Sequence, residues 1–405
     1  MSLMPRLQLA TRMNWVLTAA MLALITIGIL FIYSATYARE DGPSHSLYQR
    51  QILWAVAGMG AYVFFAVTDY RRLRKLTWAG YGIGLVLLVL VLVLGTKIDG
   101  ARRWLYVGPI GIQPSEIAKM AVIFVLARRL SQPGENLGRI RPLLEVLALV
   151  ALPFLLIMRE PDLGSALVLL PVTLAMMFAA GVPYRVIGVL VMTGVAMVAL
   201  VLAILFLPQA IHMTEAHQQK IMKAVGLSAY HRNRLTVFFN ADKDPLGAGW
   251  NKRQSEIAVG SGGLHGKGYL KGTQNMLGFL PRSVSYTDFI FSVVAEEKGF
   301  MGSITILGLF GVVLSCGIHA AIRAADKLGR LLCAGIVTML FIHVFINTAM
   351  TVGLMPITGI PLPLLSYGGT FMMIVMSALG MVQSVYIRSQ RAGLSFEQGV
   401  LWRAA

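Results

Sequence analysis

The chain alternates long apolar stretches with shorter polar connections. An α-helix rises about 1.5 Å per residue and the hydrocarbon core of a membrane is about 30 Å thick, so about 20 apolar residues make one span. Ten stretches come close to this length, near residues 15–33, 51–68, 77–95, 115–129, 143–158, 164–181, 184–207, 289–321, 331–354 and 366–388. The pattern predicts an all-α polytopic membrane protein with about ten transmembrane helices.

The fourth stretch is short and contains Glu116 and Lys119, which lie three residues apart and so share a helix face. We therefore expect this helix to be buried in the bundle, with Ser115 as a candidate N-cap. Two interpretations stay open. The two charges form an ion pair that only holds the bundle together, or Lys119 faces a polar cavity and supports the phosphates of a ligand.

Composition agrees with a membrane protein, because 57% of the 405 residues are hydrophobic and only 13% are charged. The net charge is +17. No basic helix or aromatic platform of the kind that binds nucleic acid accompanies this charge. Positive loops that fix membrane topology explain it better, and we expect no nucleic-acid partner.

Arginine and lysine fall in alternate connections. The positive residues are Arg6, Arg12, Arg71, Arg72, Arg74, Lys75, Arg128, Arg129, Arg139, Arg141, Arg185, Arg323, Lys327, Arg330, Arg388, Arg391 and Arg403. If ten spans alternate, all of them lie on one side, which the positive-inside rule identifies as cytoplasmic. Both termini are then cytoplasmic, and the run after Arg12 is an uncleaved first span in a bacterial inner membrane.

The opposite connections include one large loop, residues 208–287, between helices seven and eight. It lacks a sizeable apolar core of its own, so we treat residues 1–405 as a single transmembrane domain with an extracytoplasmic loop. The loop contains an excess of cations that could bind lipid head groups or a diphosphate. They are Lys220, Lys223, Arg232, Arg234, Lys243, Lys252, Arg253, Lys267, Lys271 and Arg282.

Residues 254–268 of this loop are rich in glycine and include Lys267. Glycines allow backbone N–H groups to approach an anion closely, and a lysine adds positive charge. The segment is not a Walker A motif, since Ser261 stands where its first glycine belongs and Gly268 follows the lysine. A flexible cluster of turns is the alternative.

Asp288 is the most informative residue, because a carboxylate at a membrane boundary is costly to desolvate and is functional by default. Glu296 and Glu297 follow about two helical turns later, which would place Glu296 on roughly the same helix face as Asp288. The pattern indicates chemistry on a phosphate-bearing substrate at the membrane surface.

Other boundary residues have two interpretations each. Trp104 is an interfacial anchor or, beside Arg102 and Arg103, stacks against a sugar. Asp162 in the turn 159–164 is a helix cap or a catalytic group. The proline-rich loop 355–363 that leads to Ser366 reads as irregular backbone lining a cavity. His343 is a hydrogen-bonded packing residue rather than a metal ligand, since the histidines show no metal-ligand spacing.

Taken together, these strings resemble the RodA/FtsW (SEDS) family of cell-wall glycosyltransferases. The matching segments, in the family's order, are residues 100–104, 113–116 with Lys119, 161–164, 257–258, 260–268, 279–281, 287–291 with Glu296 and Glu297, 361–363, and 366–369. The form of residues 100–104 and the short termini look more like RodA, the elongation branch, than FtsW, the division branch. One departure is Arg282, where the family commonly has Glu.

The resemblance implies polymerisation of lipid II into glycan strands during cell elongation and cell-shape maintenance. It implies that Asp288 is catalytic and that Trp104, Glu116 and Lys119 are functional. Further candidates for substrate binding are Arg102, Arg103, Asp162, Lys267 and Ser366. The implied partners are a class B penicillin-binding protein, other membrane proteins of the elongation complex and membrane lipid.

In the expected mechanism Asp288 acts as general base on the acceptor sugar's 4-hydroxyl, and cations stabilise the diphosphate leaving group. Arg102, Arg103, Lys119 and Lys267 are the candidates for the second role. A divalent cation, Mg²⁺ or Mn²⁺, could assist, although no ligand cluster demands one. The competing hypotheses are a flippase for lipid II, a division polymerase of the FtsW kind, and a non-catalytic scaffold for the crosslinking partner.

Overall fold

A computed structural model describes residues 11–37, 46–98, 101–108, 110–133, 138–210, 229–280 and 284–401. Several charged residues discussed above fall outside these ranges, namely Arg6, Lys220, Lys223, Arg282 and Arg403.

The described chain is mostly helical. The helices are α1 (Trp15–Tyr37), α2 (Leu47–Val67), α3 (Tyr70–Leu73), α4 (Thr77–Leu94), α5 (Pro114–Leu130), α6 (Ile140–Arg159), α7 (Leu163–Ala180), α8 (Tyr184–Ala210), α9 (Ala229–Phe239), α10 (Ala248–Ser261), α11 (Thr273–Met276), α12 (Ile290–Ile322), α13 (Lys327–Thr351) and α14 (Gly369–Leu401). Three short strands, β1 (Thr96–Ile98), β2 (Ala101–Val107) and β3 (Ile110–Ile112), lie between α4 and α5.

A helix occupies each of the ten predicted spans, so the polytopic helical fold is confirmed. Among the described residues, nine helical segments are long and apolar enough to cross a membrane. The tenth, α5, has only 17 residues and is buried along most of its length. Burial of α5 inside the bundle, expected from its charges, is therefore confirmed. Ser115 is not its N-cap, because the helix begins at Pro114 and Gln113 is the capping residue.

The core of the bundle is formed by α5, α7, α13 and α14. Helix α5 packs against α4, α6, α7 and α13, and α14 packs along α2. The two most buried spans are α14 and α13, whereas α8 has no buried residue between Tyr184 and Ile204. Apolar residues that face outward from a membrane bundle meet lipid, so this exposure is expected for a span at the periphery.

The arginine-rich connections gather at one end of the bundle. There Arg71 contacts Asp326 at 2.7 Å and Arg129 contacts Glu145 at 2.6 Å. Arg388 of α14 donates to the carbonyl of Val67 at 2.7 Å. These contacts join connections that the charge pattern assigns to the same side.

The opposite end, here called the outer end, carries structure that the apolar pattern did not predict. Strand β2 pairs antiparallel with β1 on one edge and with β3 on the other. The large loop, predicted to be loop-like with some helical pattern, contains α9, α10 and α11. Helix α10 packs against α12, so the loop folds back onto the bundle.

Helix α12 is broken near its outer end. Gly299 has φ 64° and ψ −158°, a conformation outside the helical region. A Cβ at Gly299 would lie 2.4 Å from the backbone nitrogen of Gly266, and a Cβ at Gly266 would lie 2.2 Å from the carbonyl oxygen of Glu297. Only glycine permits this approach of two backbones.

The glycine-rich segment 262–268 fills the break. Its backbone pairs with α12 on both sides of Gly299, through Lys267 N to Glu296 O at 3.0 Å, Gly268 N to Glu297 O at 2.9 Å, Phe300 N to Gly263 O at 2.8 Å and Met301 N to Leu264 O at 3.1 Å. These bonds satisfy groups that the interrupted helix would otherwise leave unpaired in an apolar setting. The glycines thus serve close backbone packing, and four backbone amides of the segment, those of Gly262, Gly266, Lys267 and Gly268, already donate to carbonyls.

Candidate active site at the outer end

Asp288 lies at the outer end of the bundle, two residues before α12 begins at Ile290. Because it precedes the helix, the expected shared helical face with Glu296 is wrong. Its side chain is half-buried, whereas Phe289 and Ile290 beside it are buried. The carboxylate is therefore at the boundary between the packed core and the outer surface.

The backbone around Asp288 is held at three successive carbonyls. The carbonyl of Tyr286 accepts from the Tyr367 backbone N–H at 2.9 Å. The carbonyl of Thr287 accepts from the Ser366 hydroxyl at 2.6 Å, and that of Asp288 accepts from the Asn347 amide at 2.9 Å. The orientation of Asp288 is thus fixed by α13 and by the loop that precedes α14.

Ser366 was a candidate for substrate binding. The structure buries its side chain, and its hydroxyl accepts from the Leu362 N–H at 2.8 Å while donating to Thr287. The hydroxyl is engaged on both sides behind Asp288. Its observed contacts fix the proline-rich loop and the Asp288 segment to each other.

Arg234 of α9 is the cation that the structure brings to Asp288. A Cβ built on Gly359 would lie 3.4 Å from Asp288 Oδ2 and 3.5 Å from Arg234 Nη1, so both groups flank the same glycine. Gly359 has φ 75°, a conformation that favours glycine. Arg234 Nη1 also donates to the carbonyl of Ile357 at 2.7 Å. The large loop therefore supplies positive charge beside the carboxylate.

Asp162 lies in a buried turn next to the proline-rich loop 355–363. It caps α7, because its Oδ1 accepts from the Ser165 N–H at 3.2 Å, which confirms the helix-cap interpretation. Its Oδ2 accepts from Gln113 at 3.3 Å and from Ser115 at 3.4 Å. The turn reaches the proline-rich loop through Gly164, where a Cβ would lie 3.1 Å from the carbonyl of Thr358.

Glu160 in the same turn is fully buried, and neither carboxylate oxygen has a hydrogen-bond partner. Burial raises the pKa of Glu160 to about 9, with a further increase from Asp162 that Arg103 partly opposes. The carboxyl is therefore neutral at pH 7. Arg103 donates to the backbone carbonyls of Glu160, at 3.4 Å, and of Pro161.

Arg102 and Trp104 belong to β2. Arg102 donates to the carbonyls of Leu92 and Val93 at 3.1 and 3.2 Å, so it caps the C-terminal end of α4. Trp104 is half-buried, and a Cβ at Gly111 would lie 3.2 Å from its ring. The sheet touches α14 through Thr370, whose hydroxyl donates to the Gly111 carbonyl at 3.4 Å.

Lys119 lies below this surface in a buried polar cluster. Its Nζ contacts Glu116 Oε1 at 2.7 Å and His343 Nε2 at 2.9 Å, and only 1% of Lys119 is exposed. The predicted ion pair is confirmed, as is the packing role of His343, which stacks on Phe371 with ring centroids 5.3 Å apart. His343 is one turn from Asn347 on α13. The same helix therefore contacts Lys119 through His343 and the Asp288 carbonyl through Asn347.

Lys267 belongs to a different cluster. Its Nζ is 2.6 Å from Glu296 Oε1, which also accepts from the Thr273 hydroxyl at 3.0 Å. Glu297 accepts from the Ser34 hydroxyl and from the Leu270 N–H, the latter at 3.1 Å. These contacts join α12, the glycine-rich segment and α1, and they do not include Asp288.

Two residues of the site were not singled out from the sequence. Arg234 was one of many cations in the large loop, and nothing local distinguished it. Asn347 lies inside an apolar span, and a lone amide there is the signal that could have found it, because a polar group in such a span needs a partner. Among the described residues no three His, Cys, Asp or Glu side chains come together, so they form no protein cage for a divalent cation.

Comparison with known proteins places this geometry in a family. Residues 14–391 match the model of the FtsW/RodA/SpoVE family, described as cell cycle proteins. Peptidoglycan glycosyltransferase RodA of Treponema pallidum is 35% identical over 93% of this chain and 98% of its own length. Peptidoglycan glycosyltransferase MrdB of Escherichia coli is 36% identical over 90% of this chain and 91% of its own length.

A solved structure gives the same result for the fold. A chain from a structure described as structural coordination of polymerization and crosslinking by a peptidoglycan synthase complex superposes with a TM-score of 0.74. It is 29% identical, and the match covers 93% of this chain and 98% of that one. The ordered motifs, the helical architecture and these full-length similarities agree, and the chain belongs to the FtsW/RodA/SpoVE family of cell cycle proteins.

Proposed function

We propose that this protein is a peptidoglycan glycosyltransferase that polymerises lipid II, with Asp288 as its catalytic base. The observation that carries the proposal is the half-buried carboxylate of Asp288 at the outer end, with its backbone fixed and Arg234 beside it. The names of the relatives from Treponema pallidum and Escherichia coli support the reaction class. The same names favour the elongation branch over the division branch.

In the proposed reaction the 4-hydroxyl of the acceptor sugar attacks the anomeric carbon of the donor. Asp288 accepts the hydroxyl proton as the new C–O bond forms, and the bond from the anomeric carbon to the diphosphate oxygen breaks. General base catalysis of this kind typically contributes about 10² to 10⁴ in rate. A carboxylate that is fixed in direction before substrate binds loses little freedom in the transition state.

Negative charge grows on the diphosphate as it leaves, and a nearby cation stabilises that charge. Arg234 is the best candidate, since its guanidinium flanks the same glycine as Asp288. The other candidate cations make contacts that do not include the Asp288 loop, Arg102 and Arg103 with carbonyls and Lys119 and Lys267 with glutamates. Those contacts support roles in shaping the site.

The partner and the membrane orientation belong to the same proposal. The related chain in a peptidoglycan synthase complex supports a pairing with a crosslinking enzyme, of the class B penicillin-binding type. The arginine-rich end of the bundle supports a cytoplasmic position for both termini in the inner membrane, which leaves Asp288 on the outer face. Lipid II bearing its sugar outward would then meet this site.

The test is polymerisation of labelled lipid II by purified protein in detergent, where a flippase has no two sides to connect. We expect the wild type to form glycan polymer and Asp288→Asn to lose at least about 10²-fold in rate. Binding of the crosslinking partner should be unchanged in the variant. A scaffold would tolerate Asp288→Asn in complementation of growth, and undiminished polymer from that variant would reject Asp288 as the base.

A further inference from the structure

Asn347 connects Asp288 to the proline-rich loop. It lies on α13 and is fully buried. Its Nδ2 donates two hydrogen bonds, to the carbonyl of Asp288 at 2.9 Å and to the carbonyl of Ile360 at 2.8 Å. One amide nitrogen thus joins two segments that are far apart in the sequence.

The other half of the amide is left without a partner. Asn347 Oδ1 is buried and accepts no hydrogen bond. An unpaired buried acceptor costs stability, and this cost is accepted at Asn347 together with the two bonds that its NH₂ group donates. The position keeps an amide whose use lies in its two N–H donors.

Those donors help to fix the position of Asp288 relative to Arg234. Arg234 is anchored to the carbonyl of Ile357 at 2.7 Å, and Asn347 anchors Asp288 to the carbonyl of Ile360 three residues later. Gly359, between the two anchors, faces both the carboxylate and the guanidinium. The carboxylate and the cation are therefore aligned on the same short loop.

We infer that Asn347 is a positioning residue, which holds the catalytic carboxylate of Asp288 in register with Arg234 through its bidentate amide. The inference rests on the proposed role of Asp288 as base. Asn347 touches neither substrate nor reacting atoms, and it acts through the backbone carbonyl of Asp288. Its loss should shift the carboxylate and leave the outer surface that binds the substrate in place.

The experiment compares Asn347→Leu, which fills the space without a donor, with Asn347→Asp, which keeps the size and replaces the NH₂ donor group with a carboxyl oxygen. Thr348→Val on the same helix is the matched control, because Thr348 Oγ1 is buried and has no partner. Each purified full-length protein is assayed with lipid II for kcat, KM, the pH profile of kcat/KM and melting temperature. Asp288→Asn is assayed in parallel.

We expect kcat of Asn347→Leu and Asn347→Asp to fall about 10- to 100-fold, with KM changed less than about threefold, because small misplacements of a reacting group have effects of this size. The acid limb of the pH profile should move to higher pH as the carboxylate loses its register with Arg234. The melting temperature of Asn347→Leu should fall only moderately, because the loss of the donors to Asp288 and Ile360 is partly offset by apolar packing. Thr348→Val should match the wild type throughout.

The inference is overturned if both Asn347 variants keep the wild-type kcat and acid limb. It is also overturned if they lose activity only in proportion to a lowered melting temperature, which would indicate a purely structural role. Activity of Asp288→Asn at the wild-type rate would instead reject the proposed function, whatever the Asn347 variants do. The two failures are thus distinguishable in one set of assays.

Discussion

Asp288 and the pair Glu296 and Glu297 lie close together in the sequence, and their carboxylates have different surroundings in the structure. Asp288 stands just before α12, half-buried, with its backbone held and Arg234 nearby. Eight residues later Glu296 and Glu297 are fully buried beside the break at Gly299, where they bond to Lys267, Thr273, Ser34 and Leu270.

The difference lies in which atoms form the hydrogen bonds that hold each segment in place. The Asp288 segment is fixed through main-chain carbonyls, and its carboxylate lies beside Gly359 together with the Arg234 guanidinium. At the break, the carboxylates themselves accept the bonds that join α12 to α1 and to the glycine-rich segment. The first arrangement suits a reacting group, and the second suits a joint between elements.

Removal of Lys267 should have the largest effect on stability. Lys267→Met leaves the buried Glu296 carboxylate without its cation, and breaking such a pair typically costs about 3–5 kcal/mol. Because Lys267 is 26% exposed, we expect the lower end of that range. The measurement is the free energy of unfolding in detergent, with Asp288→Asn as the control that should keep wild-type stability.

A double variant sharpens this prediction. Lys267→Met combined with Glu296→Gln removes both charges, so it should recover part of the lost stability. Wild-type stability of Lys267→Met, together with a raised KM for lipid II, would contradict the comparison. Lys267 would then belong with the substrate, as its glycine-rich surroundings suggest in the sequence.

Replacement of Gly266 tests the backbone joint with a smaller expected effect. Gly266 has φ 78°, which costs a residue with a side chain about 1–2 kcal/mol, and its Cβ would collide with the Glu297 carbonyl. Gly266→Ala should therefore lower the melting temperature by an amount that corresponds to at least about 1–2 kcal/mol. Polymerisation by the protein that remains folded should continue.

Gly260 supplies the matched control, because it lies within α10 and a Cβ there meets no atom within 4 Å. Gly260→Ala should be neutral or stabilise the protein by up to about 1 kcal/mol, as alanine does inside helices. Equal effects of the two substitutions would mean that the glycine-rich segment does not depend on close backbone packing at the break.

The membrane architecture could be predicted from the sequence because each span is encoded locally. A run of about 20 apolar residues requires no information about its neighbours, and the arginine pattern orients the spans. The three-stranded sheet was missed, since its strands β1 and β3 have only three residues each and show no alternation. The helix break was missed for another reason. In a sequence, glycines that allow close backbone packing cannot be distinguished from glycines that allow anion binding.

The residues of the site also differ in whether their local sequence reveals them. Asp288 was found because a carboxylate at a span boundary is unusual on local grounds. Asn347 and Arg234 acquire their roles from contacts with segments more than 50 residues away, which composition and spacing do not encode. Lys267 looked like a phosphate ligand until the structure placed Glu296 at 2.6 Å from its Nζ.

Glu160 gives an effect that depends on pH, and it extends the comparison to a carboxyl whose oxygens have no hydrogen-bond partner. Burial raises its pKa from the ordinary value of 4.5 to about 9. The folded protein keeps this proton between those two values while the unfolded chain releases it. The stability that the neutral carboxyl contributes is therefore fully present below pH 4.5 and is lost as pH rises through about 9.

Glu160→Gln removes this titration and keeps the size of the side chain. The variant should gain stability relative to the wild type as pH rises from 6 to 9, by at most about 1.4 kcal/mol per pH unit. Melting temperatures of both proteins across that range check the sign. A constant difference between them at every pH would mean that Glu160 is ionised in the folded state, with Arg103 as the cation that stabilises it.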